Sequence, residues 1–327
     1  MPLETVSVFG GGSWGTALAQ AAAMAGRRVE LVMRDPVEAE AVAAARMNVR
    51  YLPGQKLHDA IHPTATPSVA DFVILAVPAQ ATRTLLTTLP GELLAGRPVV
   101  LSAKGLETGT LLRQSEILLD MAPEAVPFVL SGPSFAADVA AGRPTAVTLA
   151  GDDPSATSDL AAALAGPSFR PYAADDRIGV ELAGALKNVY ALACGAVEGA
   201  GLGASARSAL IARAFAEQAR LVRTLGGSTT TLTGLAGLGD LTLSCTSAQS
   251  RNYRFGMALG AGRSPKDISA DVGLAEGVWT APVAGQLASD VGVDAPLVDA
   301  VVQVLAGTAD IATIVAGLMS RPLKRED

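Results

Sequence analysis

The alternation of hydrophobic and polar positions changes once along this chain. Up to about residue 175, short apolar runs alternate with stretches of helical period; beyond it, apolar residues recur every three or four positions and strand-like runs largely stop. The runs Thr5–Phe9, Arg28–Met33, Asp71–Val77, Pro98–Ser102, Pro127–Leu130 and Thr145–Ala150 predict strands. Helical patterns over Thr16–Ala25, Ala81–Leu89, Leu111–Asp120 and Phe135–Ala141 fall between them. That order predicts an α/β architecture, a doubly wound and mostly parallel sheet with both faces covered, followed by an all-α domain. The second half predicts helices over Arg177–Glu198, Ala206–Thr224 and Ala281–Val291, the middle one closed by Gly226-Gly227 as a glycine C-cap. The apolar run Val301–Met319 contains Gln303, Asp310 and two glycines, so it predicts a core helix rather than a membrane span.

The junction of the first strand and first helix reads Gly10-Gly11-Gly12-Ser13-Trp14-Gly15. Gly10, Gly12 and Gly15 fill the G-x-G-x-x-G pattern: a tight turn, a close approach for pyrophosphate, and close helix–strand packing. A strand before and a helix after make this a dinucleotide-binding signature rather than an ordinary glycine turn. Residues 1–176 are therefore read as a Rossmann-like dinucleotide-binding domain and 177–327 as a helical substrate domain. The second strand ends in Met33-Arg34-Asp35. A carboxylate there suits the ribose 2′-hydroxyl of NAD, an arginine the 2′-phosphate of NADP. With Arg34 ahead of Asp35, the reading leans to NADP or to use of both, a solvated surface arginine being the alternative.

Composition narrows the partners. The 327 residues are half hydrophobic with 4% aromatics, enough for two cored domains. A net charge of −6 without a basic block argues against nucleic acid or an anionic membrane, yet allows a local cationic pocket for a small anionic substrate. Two cysteines, Cys194 and Cys245, make no disulfide framework, and Met1-Pro2-Leu3-Glu4 carries no basic targeting segment, so a cytoplasmic location is expected. His58 and His62 stand four apart, a zinc spacing on a helix, but Pro63 follows and no further histidine exists, so no metal is expected.

With both histidines in one linker-like segment, a lysine is the natural acid/base, and only five of the 25 basic residues are lysines. Lys187 lies in the apolar helix Glu181–Gly199, and the positions one turn away are Ala183, Gly184, Tyr190 and Ala191. Without a helical ion partner it is either a lysine of lowered pKa that exchanges protons near neutrality, or one that snorkels to water. Lys104 and Ser131-Gly132-Pro133-Ser134 each follow a strand, where ligands gather in such sheets, although Ser134 could simply cap the next helix. Farther on, Gly237-Leu238-Gly239-Asp240 sets a carboxylate in a flexible turn, and Ser250-Arg251-Asn252 clusters donors suited to phosphate or exposed as a solvated loop.

Taken together, GGGSWGTALA at 10–19, YLPG at 51–54, SAKGLE at 102–107, SGPSFAADVAAGRPTAV at 131–147, ELAGALKNVYA at 181–191, GLAGLGDLTLSC at 234–245, SRNYRFG at 250–256 and AEGVWTA at 275–281 resemble the bacterial NAD(P)-dependent sn-glycerol-3-phosphate dehydrogenases over nearly the whole chain. The resemblance implies reversible reduction of dihydroxyacetone phosphate, supplying glycerol 3-phosphate for phospholipid synthesis. It implies Lys187 as the proton carrier, with Asn188 and Asp240 orienting it. Lys104, Gly132, Ser134, Asp240, Ser250, Arg251 and Asn252 would line the substrate. Ser13, Trp14, Arg34, Lys104, Ala136, Arg251, Leu274 and Glu276 would meet the cofactor. Asp138, Ser205-Ala206 and Tyr253 depart from the family pattern and leave fine contacts open. The rival readings are a β-hydroxyacid dehydrogenase of the 6-phosphogluconate type and a non-catalytic dinucleotide sensor. A homodimer through the apolar helical half is expected.

Overall fold

A computed structural model describes residues 3–322; Met1, Pro2 and Lys324 lie outside them. Its centre is one eight-stranded sheet in the order β3-β2-β1-β4-β5-β6-β7-β8. The strands are β1 (Thr5–Phe9), β2 (Arg28–Val32), β3 (Ile61–Thr64), β4 (Phe72–Leu75), β5 (Pro98–Leu101), β6 (Val126–Ser131), β7 (Thr145–Gly151) and β8 (Phe169–Ala174). Neighbours are parallel except β6 and β7, which run antiparallel with Leu130 opposite Leu149. The order reverses direction between β1 and β4, which creates a crevice outside their carboxyl ends.

The helices of this half are α1 (Ser13–Met24), α2 (Pro36–Ala45), α3 (Thr82–Thr88), α4 (Gln114–Met121), α5 (Ala136–Ala140) and α6 (Pro154–Leu164). Val8, Leu31 and Ile74 pack with α1, α5 and α6 on one face, while Val73, Leu75 and Val99 pack with α3 and α4 on the other. The helical half comprises α7 (Arg177–Gly199), α8 (Gly203–Thr224), α9 (Thr229–Leu232), a π-helical turn Leu235–Gly239, α10 (Asp240–Thr246), α11 (Arg251–Gly260), α12 (Pro265–Val272), α13 (Glu276–Asp290), α14 (Pro296–Ala306) and α15 (Ile311–Met319).

α7 is the axis of that half. It is long and apolar enough to cross a membrane, but α8, α10, α11, α13 and β6 surround it and leave it almost wholly enclosed. Glycines let α11 lie backbone-to-backbone along it: a Cβ at Gly256 would come within 2.9 Å of Ala196 N, and one at Gly195 within 2.9 Å of Met257 N. The Glu181 carboxylate accepts from Ser115 N (2.8 Å) and Ser115 Oγ (2.7 Å), which ties α7 to the start of α4. Burial raises the Glu181 pKa against those two hydrogen bonds.

The sequence pattern missed the short helices α9 to α12 of the second half and, in the sheet half, β3, β8, α2 and α6. Both missed strands are sheet edges holding a proline, Pro63 and Pro171, which only an edge tolerates and which spoils a strand signal. Both missed helices of the sheet half begin Asp-Pro, with Asp35 and Asp153 capping and Pro36 and Pro154 in the first turn. Helix α13 begins at Glu276, five residues before the expected Ala281, because Pro282 inside it disguised its first turns. The expected core helix over Val301–Met319 is two helices broken at Gly307 (φ +69°), and α15 has no buried residue. The alternation of small and apolar residues there did not distinguish a buried from an uncovered stripe.

Candidate active site

The site grows from the carboxyl ends of β1, β5 and β6. After β1 the chain turns through Gly10 at φ +122°, where a Cβ would lie 2.6 Å from Ala76 O, so only glycine fits. A Cβ on Gly15 would strike Gly10 O as α1 packs down on the turn. Gly12 differs, because a Cβ there would meet nothing within 4 Å. No internal contact demands a glycine, so the space over Gly12 fits an approaching pyrophosphate at the N-terminus of α1. Two buried atoms lack a hydrogen-bond partner among the described residues: Trp14 Nε1, in the first turn of α1 after the glycine turn, and Glu276 Oε2, which would lie 3.2 Å from a Cβ on Gly105. Glu276 Oε1 accepts from Ala79 N (3.1 Å), and burial pushes its carboxyl up. These residues fit a bound NAD(P).

After β5, Lys104 Nζ donates to Gly132 O (3.1 Å) and to Asp240 Oδ2 (2.6 Å). Gly132, at φ +148°, directly follows β6, where a Cβ would lie 2.8 Å from Val147 Cα. Lys187, from the middle of α7, donates to the other oxygen, Asp240 Oδ1 (2.7 Å), and to Ser244 Oγ (2.7 Å). One carboxylate thus holds two ammonium groups, one from the loop after β5 and one from α7, and Asp240 is only 1% exposed. Burial raises the Asp240 pKa, but the charges of Lys104 and Lys187 outweigh it and hold the carboxyl below its ordinary range. Burial and the neighbouring Lys187 charge lower Lys104 to about 8 despite Asp240.

Two expectations are corrected here, and one alternative falls away. Lys187 has no partner within its helix, but Asp240 supplies one from 53 residues away; at 8% exposed, Lys187 does not snorkel. Asp240 stands in no flexible turn, since it opens α10 directly after the π-helical turn. Ser250-Arg251-Asn252 is not a loop: Ser250 Oγ caps α11 by accepting from Tyr253 N (3.3 Å), and Arg251 begins that helix.

Other expected residues fall close together with different partners. Asn188 bonds away from Lys187, with Nδ2 on Lys104 O (2.8 Å) while its Oδ1 accepts from Asn252 Nδ2 (2.8 Å). Asn252 Oδ1 in turn accepts from Gly277 N (2.9 Å), so its amide links α7, α11 and α13 and keeps a second Nδ2 hydrogen outside these bonds. Ser134 donates to Gly132 O (3.0 Å) and leaves the cap of α5 to Phe135. Arg251 is exposed at the mouth, near enough for its charge to act on Glu276. Ala136 opens α5, Leu274 lies exposed before α13, and Ser13 Oγ donates to Tyr51 O (2.7 Å). Asp35 Oδ1 accepts from Val37 N (2.9 Å) as a helix cap, while Arg34 is exposed with no bond to the described residues. His62 lies on β3 rather than on a helix with His58. Asp138 pairs with Arg143, and Tyr253 OH accepts from Arg207 (3.0 Å).

Ser244 escaped the sequence reading. Its signal was its place four residues after Asp240, the spacing that puts both on one helix face.

The model of the NAD-dependent glycerol-3-phosphate dehydrogenase N-terminus matches residues 5–157, and that of the C-terminus matches 176–316. A relative from Methylobacterium radiotolerans named glycerol-3-phosphate dehydrogenase [NAD(P)+] is 51% identical, with 100% of this chain and 99% of its own length aligned. One of the same name from Rhodopseudomonas palustris is 48% identical over 99% of both chains. The crystal structure of a glycerol-3-phosphate dehydrogenase from Coxiella burnetii superposes with a TM-score of 0.91 at 37% identity, covering 98% of this chain and 100% of that one. By the two matched models and by these full-length relatives, the chain belongs to the NAD-dependent glycerol-3-phosphate dehydrogenases.

Proposed function

We propose that this chain reduces dihydroxyacetone phosphate to sn-glycerol 3-phosphate, and reverses that reaction, at the cluster of Lys104, Lys187 and Asp240. The observation that carries the residue roles is the buried carboxylate gripping one ammonium from the loop after β5 and one from α7. Bound NAD(P)H supplies the hydride for the ketone carbon. Lys187 gives its proton to the developing alkoxide in reduction and takes it back in oxidation. Lys104 and Lys187 both oppose the negative charge that grows on that oxygen, in a site where burial keeps their fields unscreened. Asp240 and Ser244 aim Lys187, while Asn188 and Asn252 position the Lys104 backbone and the mouth of the site. Arg251, with Ser134 and the backbone around Gly132, takes the substrate phosphate. Ser13, Trp14, Arg34, Ala136, Leu274 and Glu276 line the cofactor.

The division at 176/177 belongs to this reading: the sheet ends at Ala174 and α7 begins at Arg177. So do a cytoplasmic role in supplying phospholipid synthesis and a homodimer, the latter supported by the uncovered apolar helix α15. Following NADPH absorbance with dihydroxyacetone phosphate, then NADP+ reduction with 6-phosphogluconate, tests the reaction. Consumption with the first substrate alone supports it. Turnover of the second instead, or binding with no turnover, overturns it.

A further inference from the structure

Residues 46–57 form a loop laid over the glycine turn and clamped there at many points. The loop closes on itself through the Met47–Lys56 bridge and the Leu57 N to Arg46 O bond (2.8 Å). Its Asn48 is 1% exposed and donates through Nδ2 to Gly11 O and to Thr16 Oγ1, both at 2.8 Å. Asn48 Oδ1 accepts from Tyr51 N (3.3 Å), and Tyr51 O accepts from Ser13 Oγ (2.7 Å). The loop is thus registered against the residues that would carry the pyrophosphate.

Arg50 projects from this clamped loop. Its guanidinium lies over the Tyr51 ring, 5.0 Å from the centroid, and 3.6 Å from Glu38 Oε1. Glu38 sits in the first turn of α2, directly after the end of β2, where a dinucleotide fold reads the ribose 2′ position. Two groups already stand at that strand end. Asp35 has one carboxylate oxygen committed to capping α2, and Arg34 has no partner among the described residues. Glu38 would repel a 2′-phosphate if it stood alone, but its negative charge is matched by Arg50.

We propose that Arg50 is a second guanidinium, beside Arg34, that reads the adenosine 2′-phosphate of NADP(H), with Glu38 as its partner when that phosphate is absent. The inference rests on the dehydrogenase reading above. The exchange of partners is easy because the Arg50 side chain is 71% exposed, and an exposed ion pair at 3.6 Å contributes little. The Tyr51 ring beneath the guanidinium limits its rotamers, so less freedom is lost when phosphate is gripped in a bidentate fork. The arrangement serves both coenzymes: Glu38 neutralises Arg50 when only a hydroxyl is present, and Arg50 leaves it when a phosphate arrives.

The test is equilibrium binding of NADPH and NADH by quenching of tryptophan fluorescence in a Trp279→Phe background, which leaves Trp14 as the reporter, with adenosine 2′,5′-bisphosphate as a competitor that lacks nicotinamide. For Arg50→Gln the ratio of NADPH to NADH Kd should rise about tenfold, carried by NADPH, and the bisphosphate should weaken in step. Glu38→Gln should shift the ratio the opposite way by a few-fold, because Arg50 then has no resting partner. Equal losses for both coenzymes in Arg50→Gln, or no change in the ratio, would overturn the assignment. A wild-type chain that binds neither coenzyme would instead remove the dehydrogenase reading itself.

Discussion

Replacing Asp240 by Asn keeps the shape of the side chain but removes the one negative charge between two ammonium groups. In the native site the carboxylate oxygens lie 2.6 Å from Lys104 Nζ and 2.7 Å from Lys187 Nζ. At an effective dielectric near 20, each contact is worth roughly 6 kcal/mol of Coulomb attraction before desolvation is subtracted. Asn can still accept from one lysine, yet its amide then turns a donor toward the other. Removing one partner of a buried ion pair costs about 3–5 kcal/mol, and here two pairs share the lost partner. Over 327 residues that corresponds to a Tm about 4–7 °C lower at neutral pH. The deficit should shrink above pH 8, because Lys104 already titrates at about 8 with Asp240 present and sheds its proton more readily without it. Differential scanning calorimetry of Asp240→Asn, Lys104→Met and the double variant checks this. The double variant should lose less than the sum of the singles by more than ~1 kcal/mol. Additive losses, or an Asp240→Asn Tm within about 2 °C of the native value across this pH range, would refute the shared-carboxylate account.

Other outcomes follow from individual residues. Burial lowers Lys104 from 10.5 to about 8, so the unfolded chain binds the extra proton between those values, and stability should rise with pH through that window. Over the same rise the kcat/KM for dihydroxyacetone phosphate should fall as Lys104 loses its charge; a flat pH profile past pH 8 would count against its role. Gly12→Ala should leave Tm within about 2 °C, since a Cβ there meets nothing, but weaken both coenzymes at least ~10-fold. Unchanged binding would move the pyrophosphate elsewhere. Arg251→Ala should raise the KM for substrate about tenfold or more with little change in Tm, and an unchanged KM would exclude it from the phosphate grip.

Local signals in the sequence carried the sheet, because a parallel strand buried on both faces is a continuous apolar run, as in Phe72–Leu75 and Val99–Leu101. They failed at the two edges, where Pro63 and Pro171 are tolerated because one side of the strand has no neighbour. The glycine turn was legible for the same local reason. The ion cluster was only half legible. Lys187 looked isolated because helical spacing reports neighbours one turn away, whereas its counter-charge arrives through a tertiary contact from α10. Asn252 was legible as a donor, but its links to Asn188 and Gly277 were not, because residue type says nothing of which neighbours engage part of an amide.

The most direct measurement is on Lys187 itself. In Lys187→Ala, reduction of dihydroxyacetone phosphate by NADPH should fall about 10²–10⁴-fold, the range for loss of a positioned proton donor. NADPH binding, followed by Trp14 quenching in the same Trp279→Phe background, should stay within about twofold, because Lys187 meets Asp240 and Ser244 rather than the glycine turn. A folded variant that binds NADPH and turns over at nearly the native kcat would contradict the account.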